Sequence, residues 1–341
     1  MTKKKIIIGI IILIIVAGTG FILRNKLMTN SLNNNTNQTN NVPQKTIIKI
    51  ARSSVAISAF PLFVSQEKGF FSENGLEVQL ETMKAPESVP ALLAKEVDYI
   101  SFAIEAVAAS QKDEPIKVIM AYGKNSCLAM ATQPKLKISN IKKIAVSNLL
   151  TPPHYQALKF IHDNKLSAEV IATGESPGIV IAMLKNKQAD AAIQSVIAII
   201  GLKDSGYTFL KTFYDEELPQ GLATTDEKIQ NNPGEIKKVI KSIQSSLQFI
   251  QNNPDETKTL LLKFSRMEIN ETNQKIVEEA YPVIKQTFTV GNVPSQEGIN
   301  NLIKLGKAGV YKTFQDITKQ TVSEADIAKS FDFRFVENNG Q

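Results

Sequence analysis

From residue 46 onward, short runs rich in β-branched residues alternate with stretches of helical character, and this alternation admits few folds. Seven runs have the composition of strands: TIIKIAR, LEVQLET, VDYISFA, IKVIMAY, KKIAVSN, AEVIAT and ADAAIQS. Continuous apolar strands separated by helices are typical of sheets that helices cover on both faces. The pattern therefore predicts an α/β fold.

A weak internal repeat predicts that this unit occurs twice. Residues 82–101 and 174–193 share a layout of strand, polar turn, helix and second strand, with Leu92 of the first segment matching Leu184 of the second. The match indicates two similarly built lobes. Chance alignment of two strand–helix–strand units is the alternative.

The first 45 residues have a different composition from the remainder. MTKKK is followed by an apolar stretch from Ile6 to Leu23 and then by an asparagine-rich run that ends near Lys45. As a helix, that apolar stretch would be about 27 Å long, close to the ~30 Å hydrocarbon core of a bilayer. We predict a membrane anchor or a cleavable signal sequence over 1–24 and an Asn-rich flexible linker over 25–45. Either alternative exports the remaining chain.

The formal net charge of +6 belongs to this N-terminal segment. Six of the 39 basic residues precede position 46, where there is no acidic residue, so the remainder carries 33 basic and 33 acidic residues. Nucleic-acid binding requires a basic patch on a folded surface, and we therefore predict no nucleic-acid partner. The single cysteine, Cys127, allows no intrachain disulfide.

The stretch SAFPLFVSQEKGFFSENGLEV, residues 58–78, predicts a short helix over 61–68 that Gly69 ends in a left-handed conformation. Loops at the carboxyl ends of strands form the ligand crevice of open α/β sheets. We therefore expect the front of this helix to face a ligand through Ser53, Ser54 and Phe60. Phe70 or Phe71 is expected to pack against the core. Farther along, each NNP sequence after residue 228 predicts the start of a long helix.

The order and spacing of several segments over 47–337 resemble a known family. The segments are SAFPLFVSQEKGFFSENGLEVQLE, ALLAKEVDYISFA, AEVIATGESPGIVIAMLKNKQADAAI, NNPGEIKKVIKSI and VSEADIAKSFDFRFVEN. Together they resemble the ABC-transporter substrate-binding proteins of the nitrate, sulfonate, taurine and thiamine-pyrimidine kind. The resemblance implies a two-lobed periplasmic-binding-protein type II fold, in which each lobe is a mixed sheet flanked by helices.

This resemblance also implies lobe boundaries and ligand contacts. Lobe I would comprise 46–127 and 219–337, and lobe II 128–218, with CLAMATQ and QGLATTD as the two crossings. The ligand-binding residues implied for lobe I are Ser54, Phe60, Lys84 and Glu105. Those implied for lobe II are Ser147, Asn148, Thr151, His154, Tyr155, Glu175, Ser176, Gln194 and, near the hinge, Tyr214.

One local feature departs from the family members that bind oxyanions. Pro152 and Pro153 remove two backbone donors from the first turn of a predicted helix, which weakens an anion site there. Glu87, Glu105 and Glu175 near the expected crevice would also repel an anion. We therefore expect a larger organic ligand, partly aromatic or neutral to cationic, in place of nitrate or a bare sulfonate.

The function implied by the resemblance is that of an extracytoplasmic solute-binding component of an ABC importer. Such a protein captures a small molecule between its lobes and delivers it to a permease with its ATPase. It would be a monomer without cofactor or metal, on the periplasmic or extracellular face of the cytoplasmic membrane, tethered by the N-terminal segment. The alternatives are a membrane-tethered ligand sensor and a thiamine-pyrimidine-type binding or biosynthesis protein.

The sequence disfavours a catalytic function. GESPG at 174–178 matches a nucleophile elbow, but Pro177 lacks the backbone N–H that the oxyanion hole uses. A triad of that class also needs a histidine after the serine, whereas His154 and His162 both precede it. The two histidines are eight residues apart without a fitting set of carboxylates, which disfavours a metal site. We therefore predict that the protein is not an enzyme.

Overall fold

The computed structural model describes residues 46–53, 56–125, 127–149, 151–174, 177–213, 220–288 and 327–336. They belong to a compact unit that spans Lys45–Gln341. None of the helices described in these ranges combines the length and apolar character needed to cross a bilayer. The predicted anchor or signal sequence and the predicted linker lie outside the described residues and stay predictions.

Two mixed five-stranded sheets form the centre of the described structure. The first contains β1 (Thr46–Arg52), β2 (Leu76–Thr82), β3 (Tyr99–Ile100), β4 (Ile116–Gly123) and β10 (Gln220–Thr225). The second contains β5 (Leu128–Thr132), β6 (Lys143–Val146), β7 (Glu169–Ala172), β8 (Ala191–Ser195) and β9 (Thr208–Phe213). Their strand orders are β2-β1-β3-β10-β4 and β7-β6-β8-β5-β9. Each of the seven predicted strand runs contains a strand, whereas β9 was not predicted.

Strand direction places the carboxyl ends of the parallel strands at one edge of each sheet. In the first sheet β1 runs parallel to β2 and β3, and in the second β6 runs parallel to β7 and β8. The exceptions are β10, antiparallel to β4, and β5, antiparallel to β8. They coincide with QGLATTD and CLAMATQ, the segments that the resemblance assigned to the crossings. The loops after the parallel strands therefore lie together at one edge of each sheet, which is where the ligand crevice of such folds forms.

Helices pack on the sheets and begin where the sequence provides start signals. They are α1 (Phe60–Glu67), α2 (Phe70–Glu73), α3 (Ala85–Leu93), α4 (Ala103–Ser110), α5 (Pro152–Asp163), α6 (Pro177–Lys185), α7 (Val196–Ile200), α8 (Asp226–Asn231), α9 (Pro233–Asn252), α10 (Pro254–Phe264) and α11 (Glu271–Thr287). Both NNP signals are confirmed, since Pro233 and Pro254 each open a helix. Gly69 is left-handed between α1 and α2, with φ of 79°, as predicted.

Aromatic rings fill the core beneath α1. Phe60 is fully buried, and its ring centroid lies 5.4 Å from that of Phe264 and 6.4 Å from that of Phe288. Phe71 is also buried in this core, which confirms the packing role expected behind Gly69. The structure thus places the Phe60 side chain in the core, where it contacts the rings of Phe264 and Phe288, and not at the front of the helix.

The segment between β4 and β5 is held by the start of β10 and the end of α11. Asn125 Oδ1 accepts hydrogen bonds from Cys127 N at 3.0 Å and from Thr287 Oγ1 at 2.8 Å.

A Cβ on Gly221 would lie 2.3 Å from the carbonyl oxygen of Met120. Because no side chain fits there, glycine is required for β10 to approach β4 this closely.

Candidate functional site: the cleft between the two sheets

A cleft of about 340 Å³ lies where loops from the two sheets meet. Its first wall follows strands of the first sheet and is formed by Ser53, Ala56, Ile57, Ser58, Thr82, Met83, Lys84, Ala85, Glu87, Ser101, Phe102, Ala103, Ile104 and Glu105. Its second wall is formed by Leu128, Ser147, Asn148, Thr151, Pro152, Pro153, Gln194 and Ser195. Gln220, the first residue of β10, lines the cleft from the crossing. A volume of this size suits a small organic molecule.

Among the described residues of the cleft, the ionisable side chains lie on the first wall. Lys84 precedes α3 and is exposed. Glu87, also exposed, accepts a hydrogen bond from Lys84 N at 3.2 Å and so caps the first turn of that helix. Glu105 lies in the first turn of α4, where burial raises the pKa of its carboxyl to about 7 and its own backbone N–H opposes the rise. Near neutral pH this wall therefore carries a carboxyl that exchanges between its neutral and charged forms.

The described part of the second wall is built from uncharged groups. Ser147 and Asn148 follow β6, and Thr151 Oγ1 donates to the carbonyl of Asn148 at 2.7 Å. Pro152 and Pro153 form the first turn of α5 and line the cleft. Since neither proline has an N–H, this helix terminus offers an anion two fewer donors than an ordinary one.

Gln194 brings a buried amide to the second wall. It is 7% exposed and lies near the end of β8. Its Oε1 accepts from Ser195 N at 2.9 Å, whereas Nε2 is buried and has no hydrogen-bond partner among the described residues. Ser195 in turn caps α7, since its Oγ accepts from Ala198 N at 3.4 Å. The amide plane of Gln194 is therefore fixed by the strand-to-helix junction.

Gln220 brings a second buried amide to the cleft, with the opposite polarity. Its Nε2 donates to the carbonyl of Asn125 at 2.8 Å, and its Oε1 is buried without a hydrogen-bond partner in the described ranges. The side chain packs on Gly123, where an added Cβ would lie 3.2 Å from Gln220 Cβ. Gln220 thus connects the cleft directly to the chain segment that joins the two sheets.

Of the thirteen residues that the resemblance implies as ligand contacts, the structure brings six into one cleft: Lys84, Glu105, Ser147, Asn148, Thr151 and Gln194. Ser53, which the sequence also predicts to face the ligand, lines it as well. Three others do not line it. Phe60 lies in the aromatic core, and His154 and Tyr155 are buried in α5, with ring centroids 5.9 Å apart. Burial lowers the pKa of His154, and burial together with the nearby Glu105 raises the pKa of Tyr155. Ligand contact by any of these residues stays a prediction.

The remaining four residues named from the sequence, Ser54, Glu175, Ser176 and Tyr214, lie outside the described residues. Sequence reasoning missed Gln220, Ser101 and Ser195 among the polar residues of the cleft. Gln220 had a usable signal, because it is the polar residue that opens the QGLATTD segment assigned to a crossing. Ser101 and Ser195 lie within the predicted strand runs VDYISFA and ADAAIQS, but the strands end at Ile100 and Ser195, so both serines stand where ligand-binding loops begin.

A smaller cavity of about 240 Å³ lies between α5 and β9, away from these walls. Gln156, Lys159, Phe160 and Phe213 are among the residues that line it. It shares no lining residue with the cleft.

Solved structures of binding proteins share this fold at low sequence identity. The periplasmic aliphatic sulphonate binding protein of Escherichia coli is 12% identical with a TM-score of 0.67, over 84% of this chain and 97% of its own. A putative periplasmic sulfonate-binding protein of Methylobacillus flagellatus is 14% identical with a TM-score of 0.64, over 86% and 94% of the two chains. The periplasmic nitrate-binding protein of Synechocystis is 12% identical with a TM-score of 0.58, over 84% and 89%.

These similarities agree with the two-sheet architecture implied by the sequence resemblance. A comparison with curated protein sequences gives no match. Among family profiles, the one described as NMT1/THI5 like matches residues 57–257, which is more than half of the chain.

Proposed function

Because the chain belongs to the NMT1/THI5-like family, we propose that it is the extracytoplasmic solute-binding component of an ABC importer. In this role it captures a small organic molecule between its two sheets and delivers that molecule unchanged to a permease with its ATPase. Binding proteins named for sulfonate and nitrate share its fold, which supports the assignment of the general class.

The observation that carries the proposal is the composition of the cleft. Residues after parallel strands of both sheets line one cavity, with ionisable and apolar side chains on the first wall and mainly hydroxyl and amide side chains on the second. Such a mixture of apolar and polar groups suits a small organic molecule. A solute held between the walls would contact loops of both sheets, and we propose that the two sheets close on it as a clamp.

The charges of the cleft favour a neutral to cationic solute over an inorganic anion or a bare sulfonate. Glu87 and Glu105 line the first wall, and Lys84 is the one cationic side chain among the described residues that line the cleft. Pro152 and Pro153 weaken the helix terminus that would otherwise attract an oxyanion. An apolar contribution from Met83, Phe102 and Ile104 on the same wall suits a ligand with a partly aromatic or aliphatic body.

The proposed location follows from the residues before the folded unit. We propose that residues 1–24 direct export, either as an anchor that keeps the protein at the outer face of the membrane or as a cleaved signal. The proposed division places 46–127 and 219–337 in lobe I and 128–218 in lobe II. The protein would act as a monomer that docks on its permease.

Native mass spectrometry of the full-length chain, purified without refolding, tests the proposal. We expect a fraction of molecules to carry a small solute that is released intact when the protein unfolds. The released solute, added back in excess, should raise the melting temperature, because a ligand that binds the folded state stabilises it by mass action. Purified chain that carries no solute from any expression medium, or that converts the solute to a product, would overturn the proposal.

A further inference from the structure

Tyr155 packs against the sheet to which its own helix does not belong. It lies in α5, the helix that connects β6 with β7 of the second sheet. Its side chain is 3% exposed and packs in an apolar cluster whose other members lie on the first sheet, on the segments that connect its strands, and at Ile327. A residue of the second sheet's helix is therefore buried by the first sheet.

Two other residues of α5 show that this contact is not part of the helix's ordinary packing. Ala157 and Phe160 pack in a different cluster, which is formed around the second sheet. Successive residues of an α-helix are rotated by about 100°, so Ala157 and Phe160 share one side and Tyr155 lies about 140° to 160° away from them. Tyr155 thus projects away from its own sheet, where solvent would surround its ring if the first sheet did not cover it.

The contact lies beside the cleft. Burial is the main cause that raises the pKa of Tyr155, and the carboxyl of Glu105, in the first turn of α4, is the second. Glu105 lines the first wall of the cleft, and Pro152 and Pro153 at the start of α5 line the second. The ring of Tyr155 therefore meets the first sheet next to the space that a solute would occupy.

Resting on the proposed function, we propose that Tyr155 is a positioning residue of the clamp. Its ring moves from solvent into the apolar cluster of the first sheet when the two sheets close, and the described structure is this closed form. Solute binding and burial of the ring are then coupled, although the ring itself does not line the cleft.

The coupling follows from where the ring's burial contributes. Burial of a large side chain is favourable only in the form that buries it, so Tyr155 stabilises the closed form alone. The apparent affinity for a solute rises with the fraction of molecules that can adopt the binding-competent form. A tyrosine also suits both environments, because its ring packs in the cluster and its hydroxyl is hydrated when the clamp is open.

Single tryptophans in the full-length chain report the movement directly, since the natural sequence contains none. Tyr155→Trp places the reporter at the proposed contact, and Phe160→Trp is the matched control within the second sheet's own cluster. The probe is the small-molecule fraction that heating releases from the purified wild-type chain. After exhaustive dialysis we expect acrylamide to quench Tyr155→Trp strongly, and the probe to suppress this quenching and shift the emission to shorter wavelength. Phe160→Trp should be protected with and without the probe.

Truncation of the ring provides a second, independent measurement. Tyr155→Ala should weaken binding of the same fraction by about ten- to a hundred-fold, the affinity equivalent of burying one large side chain. It should leave the melting temperature of the dialysed chain almost unchanged, because the open form does not bury the ring. Tyr155→Phe, which keeps the ring, should bind like wild type. Phe160→Ala should instead lower the melting temperature of the dialysed chain.

The outcomes separate this inference from the proposed function. Equal protection of Tyr155→Trp with and without the probe would show that the contact is a permanent part of the core, and would overturn the inference. A loss of melting temperature in Tyr155→Ala without a loss of affinity would overturn it too. A wild-type chain that retains no solute in native mass spectrometry would instead contradict the proposed function, before any variant is compared.

Discussion

The two walls of the cleft differ in charge. The first wall carries Lys84, Glu87 and Glu105, whereas the described residues of the second wall have amides, hydroxyls, prolines and one leucine. A charged wall selects a solute by its net charge, and a wall of fixed neutral dipoles selects it by the direction of its hydrogen bonds. We infer that the two walls select different properties of the solute. Variants on either wall test this difference.

The largest loss of folding stability is expected in the aromatic core beside the first wall. Phe60→Ala removes a fully buried ring that contacts other phenylalanines, and such truncations cost about 3–5 kcal/mol. Urea unfolding should show this loss. The control is Ile47→Ala, at a position that is 60% exposed, which should change stability by less than about 1 kcal/mol. If Phe60→Ala retained full stability but lost solute, the residue would belong to the wall and not to the core.

The next largest loss of stability is expected in β10, which contains one of the two crossings between the sheets. Gly221→Ala puts a methyl group 2.3 Å from the Met120 carbonyl, so β10 has to shift and stability should fall by about 2–4 kcal/mol. Gly234→Ala is the control, because an added Cβ in α9 meets nothing within 4 Å. Alanine is also the better helix former, so Gly234→Ala should stabilise by up to about 1 kcal/mol. If the melting temperatures of both variants shifted in the same direction, this account of the crossing would be contradicted.

Glu105→Gln tests the charge of the first wall through its pH dependence. Burial holds the pKa of Glu105 at about 7, above the 4.5 of an ordinary glutamate, so the folded state binds this proton more tightly than the unfolded state. The wild type therefore loses stability as pH rises toward 7, and the penalty is complete above it. We expect Glu105→Gln to be more stable than wild type at pH 8, by an amount on the order of 2 kcal/mol.

At pH 4 the same comparison should show no difference, since Glu105 is then protonated in both states. Glu81→Gln, at an exposed position of β2, is the control and should follow the wild-type pH profile. A constant difference between Glu105→Gln and wild type from pH 4 to pH 8 would mean that the carboxyl of Glu105 does not titrate in this range.

The smallest effect is expected at Lys84. Its side chain is exposed at the edge of the cleft, where solvent screens its charge. Lys84→Gln should therefore change the affinity for the retained solute by less than about three-fold. A loss of ten-fold or more would show that the ligand carries a negative charge, and the neutral to cationic preference would have to be abandoned.

Local signals in the sequence were sufficient for most elements of this fold. Seven apolar runs, the NNP helix starts and Gly69 each depend on neighbouring residues, and the structure contains the corresponding strands, helices and turn. Missing β9 has a simple cause: TFLKTF mixes polar and apolar residues without a clear alternation, so its assignment depends on pairing with β5.

The site was less predictable, because a wall position is defined by distant contacts. Phe60 was expected in the cleft from its place after β1, yet packing against Phe264, some 200 residues later, holds it in the core. Conversely, the hydrogen bond between Gln220 and Asn125 joins residues 95 positions apart, and no local pattern indicates it. Position after a strand therefore identified the loops, and long-range contacts decided which side chains line the cleft.

Hydrogen–deuterium exchange of the full-length chain, with and without the solute it retains on purification, tests the central claim most directly. We expect the bound solute to slow exchange on both walls at once, in 82–87 and 101–105 of the first and in 147–149, 151 and 194–195 of the second. The walls of the smaller cavity between α5 and β9 should exchange unchanged. Protection confined to one wall, or centred on that smaller cavity, would contradict a solute held between the two sheets.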